Sequence, residues 1–135
     1  MNACVVMTVL APDRTGIVQS LSQTVADHGG NWLESRMARL AGQFAGILRI
    51  EISQEKAASL IAALDALDGI SIQATIESPH EDSHLEHLTL DVMGNDRPGI
   101  VQALSAAVAS VGANLEDLQT ALESAPMAGH PIFHA

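Results

Sequence analysis

"DRTGIVQSLS" (Asp13–Ser22) and "DRPGIVQALS" (Asp96–Ser105) are almost the same ten residues, 83 positions apart. Carried outward at that offset, the match runs from Val9/Val92 to Asn31/Asn114, and 13 of the 23 paired positions are identical. Two unrelated amphipathic helices would share their apolar positions. They would not also share Asp13/Asp96, Arg14/Arg97, Gly16/Gly99, Gly29/Gly112 and Asn31/Asn114. The chain is therefore read as a tandem duplication, since self-similarity at a fixed spacing outranks any local pattern.

The first copy reads outward from its loop. Residues 4–11 are a Val-rich apolar run, a buried-strand signature. Asp13 precedes a helical pattern with Ile17, Val18, Leu21 and Val25 on one face, and Gly29-Gly30 ends it. Residues 32–40 read as a strand, Ala41-Gly42-Gln43 as a turn, and Phe44–Ile52 as a strand with Leu48, Ile50 and Ile52 on one face. Ser53 suits the N-cap of a second helix striped by Ala57, Leu60, Ile61, Leu64 and Leu67. "ISIQATIE" then alternates, with Ile70, Ile72, Ala74 and Ile76 inward. The order β-α-β-β-α-β predicts an α+β, ferredoxin-like sandwich: four antiparallel strands with both helices on one face.

The polar stretch "SPHEDSHLEH" (Ser78–His87) reads as a linker, which gives domains at 1–77 and 88–135. The second copy predicts a strand over Leu88–Met93, a helix over Pro98–Val111 with Pro98 at its first position, and a strand from Leu115. Its turn, "SAPMAGHPIF", is longer than the "LAGQF" of the first copy, and aligning Phe133 with Phe44 requires about six inserted residues. The second copy is thus expected to be cut short after its third strand begins, without its second helix and fourth strand.

Composition excludes several classes. The net charge is −10, and the second copy holds one basic residue, Arg97. Nucleic-acid binding needs a basic patch that releases counterions, so direct contact with DNA or RNA is not expected. No apolar run approaches the roughly 20 residues of a membrane span. The single cysteine, Cys4, excludes an internal disulfide and fits a reducing cytoplasm; it is expected to be a small buried hydrophobe. There is one lysine and no tyrosine. No nucleophile elbow, paired acid–base carboxylates or phosphate loop is present, so no catalysis and no cofactor are expected.

A βαββαβ unit with "D-R-x-G-I-V" after its first strand and "G-x-N" before its second resembles the ACT domain. Two such units with "SAPMAGHP" in the second resemble the glycine cleavage system transcriptional repressor family; formyltetrahydrofolate deformylase carries a similar N-terminal unit. The resemblance covers nearly the whole chain apart from the missing end of the second copy. It implies a cytoplasmic regulatory protein that binds a small amino acid, glycine or serine first, and works through a protein partner, a DNA-binding regulator. It also implies a homodimer.

The repeated loop has its own physical logic. Glycine lets backbone come close to a ligand, and the first N–H groups of a helix are unpaired and can receive a carboxylate. Asparagine offers a donor and an acceptor to the two charged ends of an amino acid. By resemblance the ligand sits between this loop and the start of the second strand, often at a domain interface. The candidates are Asp13, Arg14, Thr15, Gly16, Ile17, Asn31 and Trp32 in the first copy. In the second they are Asn95, Asp96, Arg97, Pro98, Gly99, Ile100, Asn114 and Leu115. The bland alternative is that Asp13 and Asp96 only cap helices and the glycines only serve turns. His80, His84 and His87 have metal-like spacing, but in an acidic linker they read as solvated. No metal is expected there, nor a site at His130 and His134. Two rival functions stay open: an interaction module that dimerises without ligand, and a regulatory ACT pair belonging to a metabolic enzyme.

Overall fold

The computed structural model describes residues 1–77, 86–124 and 129–135. The chain divides into two units, Met1–Asp82 and Ser83–Ala135. Unit 1 contains β1 (Asn2–Pro12), α1 (Ile17–Asp27), β2 (Asn31–Leu40), β3 (Gln43–Ser53), α2 (Gln54–Asp65) and β4 (Ser71–Ile76). Its strands form one antiparallel sheet in the order β2-β3-β1-β4, the ferredoxin-like arrangement.

The alternation read in the strands sets the core. Val5, Met7 and Val9 of β1 and Leu48, Ile50 and Ile52 of β3 are almost wholly buried against Ile17, Leu21 and Val25 of α1 and Ala57, Leu60 and Leu64 of α2. Removing these aliphatic side chains from water is the dominant favourable term, on the order of 1.5–3 kcal/mol for each large one. The opposite face of the sheet is polar in part. There Arg49 donates to Glu77 at 2.8 Å and lies 3.8 Å from Glu34. The Glu77 carboxylate holds that guanidinium above its already high range. Cys4 belongs to this outer face. It is half-buried, with Sγ 3.7 Å from the Arg49 Nη2, because the odd-numbered residues of β1 take the core side. It is therefore not the buried hydrophobe expected. Ile76, expected to point inward, is 63% exposed at the end of β4.

α1 ends in a Schellman motif: Gly30 N–H donates to Val25 O and Gly29 N–H to Ala26 O. The hairpin between β2 and β3 turns on two residues in left-handed backbone, Ala41 (φ 50°) and Gly42 (φ 78°), a geometry matched to strand twist.

Unit 2 contains β5 (Met93–Asn95), α3 (Ile100–Ser110), β6 (Ala121–Ser124) and β7 (Pro131–His134). Its sheet order, β5-β7-β6, repeats β1-β3-β2. The registers repeat too. Ala11 faces Phe44 and Gly94 faces Phe133; Arg39 faces Phe44 and Leu122 faces Phe133. The offset between copies is thus still 83 at Arg39/Leu122 and becomes 89 at Phe44/Phe133, a difference of six. The insertion lies in the turn, and Phe133 is the structural counterpart of Phe44. α3 ends in the same Schellman motif, Ala113 to Val108 and Gly112 to Ala109.

The strands of unit 2 are shorter than read from sequence. Leu88–Val92 precede β5, although Val92 and Ala135 exchange both backbone bonds, and Leu115–Thr120 precede β6. The register explains the second case. Their counterparts in β2, residues 32–37, pair with Gly46–Ile50, and of these only Gly46 has an equivalent at the 89 offset, Ala135. Among the described residues of unit 2 there is no second helix and no fourth strand.

Candidate ligand-binding loops

In unit 1 the loop Asp13-Arg14-Thr15-Gly16 joins β1 to α1. Gly16 is the N-cap residue in left-handed backbone, φ 89°, and Ser20 N–H donates to its carbonyl at 2.9 Å. Gly99 does the same in unit 2, with φ 83° and Ala103 N–H at 3.0 Å. Only glycine adopts this backbone at little cost, which is why the residue recurs. The left-handed turn reverses the chain immediately before the helix. α3 therefore starts at Ile100, and Pro98 stands ahead of the cap instead of at the first helical position. Neither helix has a side-chain cap, so Asp13 and Asp96 do not serve as caps. Their backbones are anchored alike: Asp13 N–H donates to Gly42 O at 2.9 Å and Asp96 N–H to Pro131 O at 3.2 Å.

The side chains of the two loops differ. Asp13 pairs with Arg39 at 3.4 Å, and Arg14 donates to the Asp68 carbonyl at 3.3 Å. In unit 2 the position of Arg39 is Leu122. Among the described residues Asp96 and Arg97 make no side-chain hydrogen bond or ion pair. Asn95, which replaces Pro12, instead accepts a hydrogen bond from His130 Nε2 at 2.7 Å. The insertion that lengthens the turn thus brings a histidine to the second loop. Sequence reading passed over His130. The 83-residue offset, continued to position 122, does expose the loss of Arg39.

The structure does not bring all the candidates together. Asn31 opens β2 opposite Glu51, which itself faces Cys4 of β1. Asp13 follows Pro12, at the other end of that strand. Eight strand residues separate the two levels, about 26 Å at roughly 3.3 Å per residue. Asp13, Arg14, Thr15 and Gly16 form one group, and Asn31 and Trp32 another. Trp32 is half-buried against the core, and its Nε1 donates to Ser35 Oγ at 3.1 Å. A β-bulge at Leu33 follows it, as bulges often do where a side chain is re-aimed. Ile17 is 3% exposed and belongs to the core. Ile100 is half-buried, while Thr15, Pro98, Gly99, Asn114 and Leu115 are exposed.

An open depression of about 920 Å³ over Thr8, Leu10, Ile47 and Gln73 contains none of these candidates. His87 lies 2.9 Å from Glu116. His80, His84 and most of the linker fall outside the described residues. No helix among the described residues is long and apolar enough to cross a membrane.

The fold and its repeated loop define an ACT unit present twice, and the family model described as "ACT domain" matches residues 3–74 and 86–123. The chain belongs to the ACT-domain family and carries the domain in tandem. It is similar to a protein of unknown function from Galdieria sulphuraria, with 32% identity, a TM-score of 0.83, and coverage of 99% of this chain and 79% of that one. It also superposes on a candidate glycine cleavage system transcriptional repressor, with 19% identity, a TM-score of 0.66, and coverage of 99% and 78%. Among curated proteins none matches.

Proposed function

We propose that this chain is a non-catalytic, cytoplasmic regulator that binds a small amino acid, glycine or serine, and passes the signal to a protein partner, a DNA-binding regulator of glycine metabolism. The observation that carries this reading is the repeated loop: both copies keep a left-handed glycine, an uncapped helix start and the same backbone anchor, and both leave it exposed. Bare helix N–H groups suit a carboxylate. The superposition on the candidate repressor and the single cysteine support the output and the compartment. The acidic surface favours a protein partner over DNA.

The 26 Å between loop and asparagine adds a requirement. A ligand the size of glycine touches both only if the loop comes from one unit and the asparagine from another. We therefore place the site at the interface of a homodimer, with Gly16 of one copy and Asn31 of its partner. A ligand that binds only this assembled state stabilises it by mass action, about 2.7 kcal/mol at 100 times Kd.

The test is a thermal-shift screen with glycine, serine and the other amino acids at millimolar concentration. A selective rise, lost in Gly16→Val and in Asn31→Ala alone, supports the reading. Mixing the two variants then restores binding at roughly a quarter of the sites, because random pairing rebuilds one intact site in each mixed dimer. No rise with any amino acid would leave an interaction module without ligand as the surviving reading.

A further inference from the structure

The single lysine of the chain, Lys56, stands at the Asn31 end of unit 1. Two separate pieces of geometry put it there. Asn31 pairs with Glu51, two residues before the N-cap Ser53, and Lys56 follows in the first turn of α2. From the other side, Lys56 Nζ lies 3.4 Å from the point where a Cβ on Gly29 would stand. Gly29 is two residues from Asn31, no more than about 7 Å along the chain. β2, which Asn31 opens, is an outer strand of the sheet, so a ligand beside it reaches the asparagine and the ammonium together.

Local helix chemistry argues against a lysine at this position. With Ser53 as N-cap, Lys56 is the third residue of α2. A capping box places Glu or Gln there, and the positive end of the helix dipole disfavours a cation. The C-terminal turn of α1 is close, yet the ammonium makes no hydrogen bond or ion pair to it or to any other described residue. Arg14, Arg39 and Arg49, by contrast, each hold a carbonyl or a carboxylate. Lys56 thus keeps three donors and a full charge at the end of the unit where Asn31 is proposed to meet an amino acid.

We infer, building on that amino-acid-binding function, that Lys56 is a further ligand-binding residue: its ammonium holds the carboxylate of the amino acid bound at Asn31. The helix N–H groups behind Gly16 of the other copy face the same carboxylate, so two positive groups from two units converge on one anion. The ligand's own ammonium is left to the side-chain oxygen of Asn31. The class of ligand is therefore a small amino acid with a free carboxylate.

The experiment is isothermal titration of glycine and of serine into the full chain and its variants. Lys56→Gln should weaken binding about tenfold or more, the loss of one charge-assisted bond, and Lys56→Arg, which keeps the charge, should recover most of it. Trp32 fluorescence in urea separates this from a structural role, because the midpoint of Lys56→Gln should stay in place. A lysine that serves only the end of α1 would lower that midpoint and leave the affinity unchanged, which overturns the inference. Equal weakening in Lys56→Gln and Lys56→Arg overturns it too. Normal binding by the parent chain with an indifferent Lys56→Gln sinks the role of Lys56 alone, whereas a parent chain that binds no amino acid sinks the functional reading and Lys56 with it.

Discussion

Leu21 and Leu104 are the same residue at the same point of a duplicated helix, so Leu21→Ala and Leu104→Ala separate packing from sequence. Leu21 is 0% exposed within the aliphatic core of unit 1. Deleting its side chain loses transfer energy and leaves a cavity, about 3 kcal/mol and within the 2–5 kcal/mol range for buried leucines. Leu104 keeps solvent contact on a helix with no buried residue, so the same change should cost about 1 kcal/mol or less, and in unit 2 alone. The assay is built into the chain. Trp32 is the single tryptophan and packs on the core of unit 1, so its fluorescence in a urea titration follows that unit. With a slope of roughly 1–2 kcal/mol per molar, Leu21→Ala should lower the midpoint by about 1.5–3 M, and Leu104→Ala should leave it in place. Far-UV circular dichroism in the same titration also sees α3, and a loss of about 2 kcal/mol or more from Leu104→Ala on that signal, as for a buried leucine, would refute the partial exposure of its side chain.

Gly46→Ala should destabilise unit 1 by about 1–3 kcal/mol, read as a drop in the Trp32 midpoint, because a Cβ there collides with Met37 Cγ and falls 2.6 Å from the Arg36 carbonyl oxygen. Gly16→Ala meets no atom within 4 Å but sits at φ +89°, so its cost should be only the left-handed penalty, about 1–2 kcal/mol. Ala41→Asn should raise the midpoint, by up to about 1 kcal/mol, since Asn-Gly suits two consecutive left-handed residues in a hairpin. Arg39→Leu, which copies position 122 into unit 1, should change stability by less than about 1 kcal/mol, because the Asp13–Arg39 pair is largely exposed at 71% for Arg39; its measurable effect is a loss of salt dependence in the same titration.

The fold was legible because its signals are periodic and local. The alternation in β1 and β3, the stripe of α2 and the glycines after α1 each specify one element, and the duplication checks each against a second copy. Phe133 was placed against Phe44 from a length difference alone, and two independent registers agree with it. What sequence could not carry was length of pairing. Leu115–Thr120 have strand-like counterparts in β2, but a strand exists only where a partner offers its backbone. Cys4 was misplaced for a related reason: in a mostly apolar strand, hydrophobicity does not say which parity faces the core, and the helices decide it.

The site shows the same division more sharply. Motif matching found the residues but gave no distance between them. In a β-α-β unit the strand rises and the helix returns, so the residues flanking the helix at its two ends necessarily lie a strand length apart. Asp13-Gly16 and Asn31 are close in sequence logic and about 26 Å apart in space. Any function that uses both is a function of an assembly. The duplication repeats the same separation in each copy, so a shared site takes its loop and its asparagine from different units. It also gives selection two loops to alter separately, and they have diverged. One is tied to Arg39 and to the Asp68 carbonyl in the turn after α2. The other has lost that arginine, has gained His130 beside Asn95, and leaves Asp96 and Arg97 without side-chain partners among the described residues. If both loops take the same ligand, Asp13→Asn and Asp96→Asn should weaken binding alike. The structure favours a larger loss from Asp96→Asn, because only that carboxylate has no internal cation to satisfy first. Isothermal titration of the two variants against glycine decides it, and equal losses would make the ion pair with Arg39 irrelevant to the ligand.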